Sequence, residues 1–432
     1  MTAEKLSEAE NEAIANFREY LRIPSVHPDI NYDECVSFLR RQASSLGLPI
    51  QVYHVVEGKP IVVITWRGSE PALPAILLNS HMDVFPTSNV RPLHNLCKCI
   101  TGGEDGYQLQ FTSPTNEQVL FRPQGQVYWD IPNSVIDTLR WQREPFAAEM
   151  DEEGNIFARG TQDTKAVGVQ YMEAVRWIRA AGLTLRRTVH VVFTPGESTP
   201  PRYEEIGGID GMDKFVKTSH FLKLNVGFIL DEGITTVHIH CTSPDRKSST
   251  EKVQIVVDHF VRFRQEQKVK LDSNPRLTPR DLTSMTLKAV KDAESELVLV
   301  FDVRVSATED CSTLEDLFSS WCESAGPGTY VSYENKPTNS GLTHLDTCNR
   351  WWLTFRDECR AMNIELNPMI CPGITDARHY RKVGLPALGF SPINNTPCLV
   401  HEADEFLNRK IFLDGIKIYV RLISALANVP AQ

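Results

Sequence analysis

The run Ile76–Pro86, ILLNSHMDVFP, constrains this chain more than any other stretch. Its apolar half is short for a helix and too continuous for a strand with one wet face. It therefore reads as a strand buried on both sides of an α/β sheet. The run passes through Asn79 and Ser80 to His81, one further residue, and Asp83. Open α/β sheets form their sites beyond the carboxyl ends of strands, and a buried imidazole or carboxylate placed there needs partners. Two other apolar runs end in the same manner. Thr188–Phe193 leads through Pro195 into GESTPPRYEEIGG, and Val226–Leu230 ends in Asp231-Glu232-Gly233. Three strands that finish in acidic or histidine-bearing turns predict one site assembled from several strand ends.

The remaining periodicities supply the rest of an α/β domain. Apolar residues at helical spacing predict helices over Leu6–Ile23 and Tyr32–Leu46, the second closed by Gly47. Val52–Val56 and Ile61–Trp66 read as strands with Gly58 and Pro60 between them. Helices are expected over Lys165–Ala181, Gly211–Val216, Trp351–Met362 and Ile411–Ala427. Short strands are expected at Ile156–Ala158 and Leu385–Phe390. From 87 to 134 neither period is sustained, and the stretch reads as an irregular insert. From 236 to 342 the texture changes. Strand Thr236–His240, helix Thr250–Gln267, strands Thr283–Val290 and Leu297–Val305, helix Thr313–Ser324 and strand Tyr330–Glu334 make a βαββαβ order. The expected division is a catalytic domain over 1–235 and 343–432, interrupted by a small domain over 236–342.

Composition narrows the function classes. The formal net charge of −10 argues against a broad nucleic-acid surface, which needs a basic face. No apolar run reaches the roughly 20 residues that cross a bilayer, and the first residues are acidic and amphipathic rather than signal-like. Ten cysteines are scattered with no Cys-x-x-Cys pair, so neither a disulfide framework nor a zinc ribbon is indicated. Cys97 and Cys99 have no third ligand close by, and His238 and His240 read as a solvent face of their strand. The expectation is a cytoplasmic protein with no nucleic-acid and no membrane partner.

The polar residues at the strand ends are His81, Asp83, Asp163, Glu204, Glu205 and Glu232, joined late in the chain by His401. Histidines and carboxylates without cysteine suit a catalytic rather than a structural zinc. Five ligands serve two ions when one carboxylate bridges. Glu204 and Glu205 can divide the work, one toward a water and one toward a metal. Asp83 is placed to accept the second ring N–H of His81 and so orient it. Asp163 also fits the N-cap of the helix that follows.

The segments LRIPSVHP, ILLNSHMDVFP, EPFAA, ARGTQDTKAVGVQYMEAV, EEIGGIDGM, LDEGI, TDARHYRKVGLPALGFSP and PCLVHEADE stand in one order along the chain. In this they resemble the aminoacylase-1 type of the M20 zinc peptidase family. The resemblance implies a zinc-peptidase-like mixed sheet flanked by helices, with the βαββαβ (ferredoxin-like) insert as lid and dimerisation domain. It implies two Zn2+ per subunit: His81 and Glu232 on one, Glu205 and His401 on the other, and Asp163 bridging. Glu204 would be the general base, Asp83 the orienter of His81, and Arg378 the receptor of the substrate carboxylate. The implied reaction is hydrolysis of an N-acyl-L-amino acid with a neutral aliphatic side chain by a homodimer.

Three departures qualify that implication. The 87–134 insert widens the interval between His81 and Asp163, and GESTPPRY widens the interval before Glu204. A Gly-His-x-Ser segment, whose histidine in the family reaches the partner's site, is absent, since DEGITTVHIH runs almost directly into CTSPDRKSSTEK. Loss of one oxyanion donor commonly costs about 10²–10³ in turnover. The alternatives are therefore a weakened relative kept as dimer partner or binding protein, or an M20 dipeptidase or carboxypeptidase.

Overall fold

A computed structural model describes residues 3–26, 30–85, 87, 99–103, 106–112, 118–120, 141–196, 210–231, 237–242, 246–274, 277, 282–293, 296–304, 311–333, 343–366, 368, 375–397, 399–400 and 403–431. In chain order the elements begin with helices α1 (Ala3–Leu21) and α2 (Asp33–Ser45). Strands β1 (Ile50–Val56), β2 (Lys59–Trp66) and β3 (Ala75–His81) follow, then β4 (Cys99–Gly103), β5 (Gly106–Thr112) and β6 (Gln118–Leu120). Next come β7 (Glu149–Met150), β8 (Asn155–Phe157), α3 (Lys165–Ala180), β9 (Val189–Thr194), the single turns α4 (Met212–Phe215) and α5 (Ser219–Leu222), and β10 (Val226–Asp231). Strand β11 (Val237–Thr242), helix α6 (Arg246–Ser273), strands β12 (Ser284–Ala293) and β13 (Glu296–Arg304), helix α7 (Cys311–Ala325) and strand β14 (Thr329–Tyr333) come after. The chain closes with α8 (Arg350–Ala361), α9 (Ala377–Lys382), β15 (Ala387–Gly389), β16 (Phe406–Asn408) and α10 (Arg409–Leu426). Among these residues no helix is long and apolar enough to cross a membrane.

The chain divides into two compact units, one of 1–87, 142–234 and 338–432, the other of 88–141 and 235–337. The first is built on a six-stranded mixed sheet in the order β1-β2-β9-β3-β10-β15. Strands β9, β3, β10 and β15 run parallel, and β1 and β2 are added antiparallel. Strand alternation sends Ile76 and Leu78 to one face and Leu77 to the other, and both faces are dry. On one face lie Phe17, Phe38, Val167, Tyr171, Phe355 and Phe412, brought by α1, α2, α3, α8 and α10. On the other lie Met212, Phe215, Phe221 and Tyr380, brought by α4, α5 and α9. Each buried aliphatic chain of this kind contributes about 1.5–3 kcal/mol, which is why the run Ile76–Leu78 can carry polar residues at its end.

The order of strands sharpens the expectation drawn from their ends. Strand β3 lies between β9 and β10 and is parallel to both. The carboxyl end that carries His81 is therefore flanked by those that lead to the 197–209 segment and to Glu232. Pro60, expected between strands, lies inside β2, opposite His54 and next to a bulge between His54 and Val56. Proline is tolerated beside such an irregularity.

In the second unit, β11 to β14 form an antiparallel sheet in the order β12-β13-β11-β14. Val256, Phe260, Phe301, Leu314, Phe318 and Trp321 share one core beneath α6 and α7. His238 and His240 fall on β11, opposite Val300 and Val298 of β13. The insert read as irregular holds a three-stranded antiparallel sheet, β4-β5-β6. Its signal is the alternation Tyr107-Gln-Leu-Gln-Phe-Thr112, which surrounding glycines and polar residues obscure.

Candidate active site

His81, Asp83 and Asp163 are brought together and buried, at 4%, 0% and 3% exposure. His81 Nδ1 lies 2.9 Å from the main-chain oxygen of Asp83 and 3.5 Å from Asp83 Oδ1. A carbonyl can only accept, so the proton of a neutral imidazole belongs on Nδ1. The Nε2 lone pair then faces Asp163 Oδ1 at 3.3 Å. Two electron-rich atoms at that separation in a dry site call for a proton or a cation between them. A nitrogen and a carboxylate oxygen are the donor types zinc takes in catalytic sites, so the described part of the site fits the ion. Glu204, Glu205, Glu232 and His401 lie outside the described residues. Among the described residues no group of three or more His, Cys, Asp or Glu is placed to hold a metal.

Asp83 is held from behind. A Cβ at Gly196 would overlap Asp83 Oδ2, so glycine here is what leaves room for the carboxylate in its place. Gly196 is itself fixed, its N–H donating to the Tyr32 hydroxyl at 2.9 Å and its oxygen accepting from Lys59 Nζ at 2.7 Å. Burial, and after it the charge of Asp83, raises the Tyr32 phenol well above its ordinary range. The loop through Met82 is pinned by Ser25 Oγ, which donates to the Met82 oxygen at 2.6 Å, and by a bridge between Val26 and Val84.

Asp163 sits on a turn that sequence reasoning explained only in part. The residue capping α3 is Thr164, not Asp163, and it makes no side-chain cap bond. The peptide between the two is cis. The turn is held instead by Glu405, fully buried, which reaches it from 243 or more residues away along the chain. Glu405 forms an ion pair with Arg159 Nη1 and accepts from Gly160 N at 2.7 Å, Thr161 Oγ1 at 3.1 Å and Gln162 N at 3.3 Å. Gln162 extends the tie, donating to the oxygens of Pro397 and Phe406 and accepting from Leu399 N. Lys165, also fully buried, caps the end of α1 by donating to the oxygens of Tyr20 and Ile23 at 3.1 and 2.6 Å.

A second polar cluster lies beneath the strand ends. Asn79 Nδ2 donates to Asp231 Oδ1 at 2.8 Å and to Asp376 Oδ2 at 3.1 Å. Thr194 Oγ1 donates to Asp376 Oδ2 at 2.9 Å, Tyr380 OH donates to Asn79 Oδ1 at 3.0 Å, and Ala377 N donates to Asp231 Oδ2. Burial and the neighbouring Asp231 push Asp376 up to about 6. These bonds lock the start of α9, and with it Arg378, onto β3, β9 and β10. No local pattern marks this cluster in the sequence. A groove of about 900 Å³, lined by Pro74, Arg187, Gly227 and Trp351 among others, opens at the opposite, amino ends of β3 and β10.

Comparison with known proteins places this architecture. The profile of peptidase family M20/M25/M40 matches residues 133–425. Aminoacylase-1 of Mus musculus is 36% identical over 98% of this chain and 97% of its own length. Aminoacylase-1 of Dictyostelium discoideum is 32% identical over 97% and 98%. In fold the chain resembles the dipeptidase Dug1p of Saccharomyces cerevisiae, with a TM-score of 0.65 at 13% identity over 99% of this chain and 98% of that one. It also resembles human carnosine dipeptidase 1, with a TM-score of 0.57 at 12% identity over 98% of each. The chain belongs to peptidase family M20/M25/M40 and, within it, to the relatives of aminoacylase-1.

Proposed function

We propose that this protein is a zinc-dependent amidohydrolase that releases a free amino acid and a carboxylate from N-acyl-L-amino acids with neutral aliphatic side chains. The observation that carries the reading is the buried apposition of His81 Nε2 and Asp163 Oδ1 at 3.3 Å, in a chain 36% identical over nearly its whole length to aminoacylase-1 of Mus musculus. In this reading His81 and Glu232 hold one ion, Glu205 and His401 the other, and Asp163 both. Zinc in such a site lowers the pKa of a water toward about 7 and polarises the scissile carbonyl. Asp83 and its main-chain oxygen keep the His81 proton on Nδ1, which presents Nε2 as the ligand atom. Glu204 takes a proton from the attacking water and passes it to the leaving amine. Arg378 receives the α-carboxylate. The working form is a cytoplasmic homodimer built through the 236–342 domain, acting on a small-molecule substrate.

A second reading follows from one sequence observation, the direct run from DEGITTVHIH to CTSPDRKSSTEK. Without the Gly-His-x-Ser segment, the protein binds metal but turns over slowly and serves as a dimer partner. Zinc content and N-acetyl-L-methionine hydrolysis, measured on purified protein with Glu204→Gln as control, separate the two. Two zincs with turnover lost in the control support the hydrolase. Bound zinc without turnover in the parent protein overturns it in favour of the second reading, and absence of zinc overturns the site.

A further inference from the structure

Arg378 has an unusual partner. Its Nε donates to Nε2 of the adjacent His379 at 2.9 Å. Arginine and histidine are both more often donors, and the bond requires a lone pair on Nε2. The hydrogen of the imidazole is therefore on Nδ1, where it donates to Asp213 Oδ1 at 3.1 Å. Asp213 Oδ2 in turn accepts from Lys217 Nζ at 2.6 Å. His379 is 2% exposed. Burial, and after it the charge of Arg378, pushes its pKa down to about 3, which agrees with a neutral ring. Asp213 stands in α4, directly after the segment that carries Glu204 and Glu205.

The chemistry of this chain differs from that of an ordinary arginine–carboxylate pair. A carboxylate bound directly to Arg378 would cancel its charge and occupy the two-pronged edge that suits an anionic ligand. A neutral imidazole accepts the Nε hydrogen, fixes the plane of the guanidinium, and itself brings no counter-charge. The carboxylate sits one group further away and fixes the imidazole instead.

We propose that His379 and Asp213 are positioning residues that hold Arg378 as a charged receptor for the substrate α-carboxylate and so set the preference for substrates that carry one. The proposal rests on the reading of Arg378 given above, and its test separates the two. In the wild-type zinc-loaded protein, ¹⁵N–¹H correlation of the histidine ring should show His379 protonated on Nδ1 alone; protonation on Nε2 overturns the relay. His379→Leu should raise KM for N-acetyl-L-methionine about tenfold, the loss of one well-placed charged contact. Its kcat should stay within about twofold and its zinc content should not change. Its preference for that substrate over N-acetyl-L-methionine amide should fall by the same factor as KM rises. His379→Gln, whose oxygen can accept from Nε, should recover most of the KM. A fall in kcat at constant KM, or a Gln variant as defective as the Leu variant, overturns the proposal. Arg378→Met is the control. If it raises KM while His379→Leu does not, the relay fails and the receptor stands; if it leaves KM unchanged, both fail.

Discussion

Removing the charge of Glu405 should unlock the turn that presents Asp163, and the structure fixes how much that costs. Glu405 is fully buried, and Arg159, with which it is paired, is 2% exposed. In Glu405→Gln the amide oxygen can still accept from Gly160 N, Thr161 Oγ1 and Gln162 N. The amide nitrogen, however, replaces the oxygen that faces Arg159 Nη1, so two donors meet and a buried cation loses its counter-charge. Breaking one side of a buried ion pair costs about 3–5 kcal/mol, whereas each neutral hydrogen bond that survives is worth about 1 kcal/mol. The charge therefore dominates the outcome. Pairing the substitution with Arg159→Met removes the stranded cation and leaves the three acceptor bonds in place. The double variant should then be no less stable than Glu405→Gln alone, so the coupling in the cycle is at least the cost of Arg159→Met by itself, about 3 kcal/mol or more, since that single change strands the buried carboxylate.

Urea unfolding gives the cycle, and hydrogen exchange of the 159–163 amides gives the local effect, since Gly160 N and Gln162 N are both bonded to Glu405. In Glu405→Gln that segment should exchange faster than β3 does, and zinc affinity should fall about 10–100-fold, as it does when the supports of metal ligands are removed. A single variant within 1 kcal/mol of wild type, or a cycle that is simply additive, would refute the reasoning, because it would mean that the turn is held without the ion pair.

Gly196→Ala should lower zinc affinity by about 10–100-fold with little change in circular dichroism, because the new methyl group displaces Asp83 and not the sheet; chelator competition measures it, and wild-type affinity would show that Asp83 does not orient His81. His190 is buried in β9, with Nε2 3.0 Å from the Leu224 oxygen and Nδ1 2.9 Å from Thr65 Oγ1, and burial lowers its pKa from 6.5 to about 4. A depressed folded value means that the unfolded chain binds the proton first, so His190 contributes stability in full above about pH 6.5 and loses it as pH falls through 4. At 1.36 kcal/mol per pH unit the contribution is about 3 kcal/mol. The stability gap between wild type and His190→Gln should accordingly narrow by about 2–3 kcal/mol between pH 7.5 and 4.5; a gap independent of pH would show that the ring is not held neutral.

What the sequence disclosed and what it hid divide along physical lines. The strand Ala75–His81 was legible because continuous burial on both faces leaves a continuous apolar run, and a polar residue that ends such a run stands out. The element order from β11 to β14 was legible for a related reason, since Val256, Phe260 and Phe263 repeat at helical spacing between strands that alternate. Elements without a period were missed. α9 has only the six residues ARHYRK, so the helix that carries Arg378 leaves no amphipathic trace. The supports of the site were hidden in a different way. Glu405 lies 244 residues from Thr161, Asp376 lies 297 from Asn79, and His379 lies 166 from Asp213. In the sequence each is one polar residue among others, and only the fold gives it a partner. Glu405 had a weak signal in the acidic run HEADE, and Arg159, four residues before Asp163, was its complement.

That asymmetry bears on how the site tolerates change. A strand-end residue such as His81, the proposed ligand, is positioned by the core, whose many apolar contacts share any strain. The turn before Asp163, the wall at Gly196 and the orientation of Arg378 each depend on one or two buried polar partners, for which no neighbour can substitute. The added segments, 87–134 with its own small sheet and GESTPPRY, enter between strands of the six-stranded sheet, where added chain length costs little. The second of them begins at Gly196, whose N–H bonds the Tyr32 hydroxyl, and in sequence runs up to the proposed base Glu204. Deleting Ser198–Tyr203 tests which link limits the site. If zinc affinity is unchanged and turnover rises, the approach of Glu204 is limiting. If zinc affinity falls, the added residues have become part of the wall that keeps Asp83 in place.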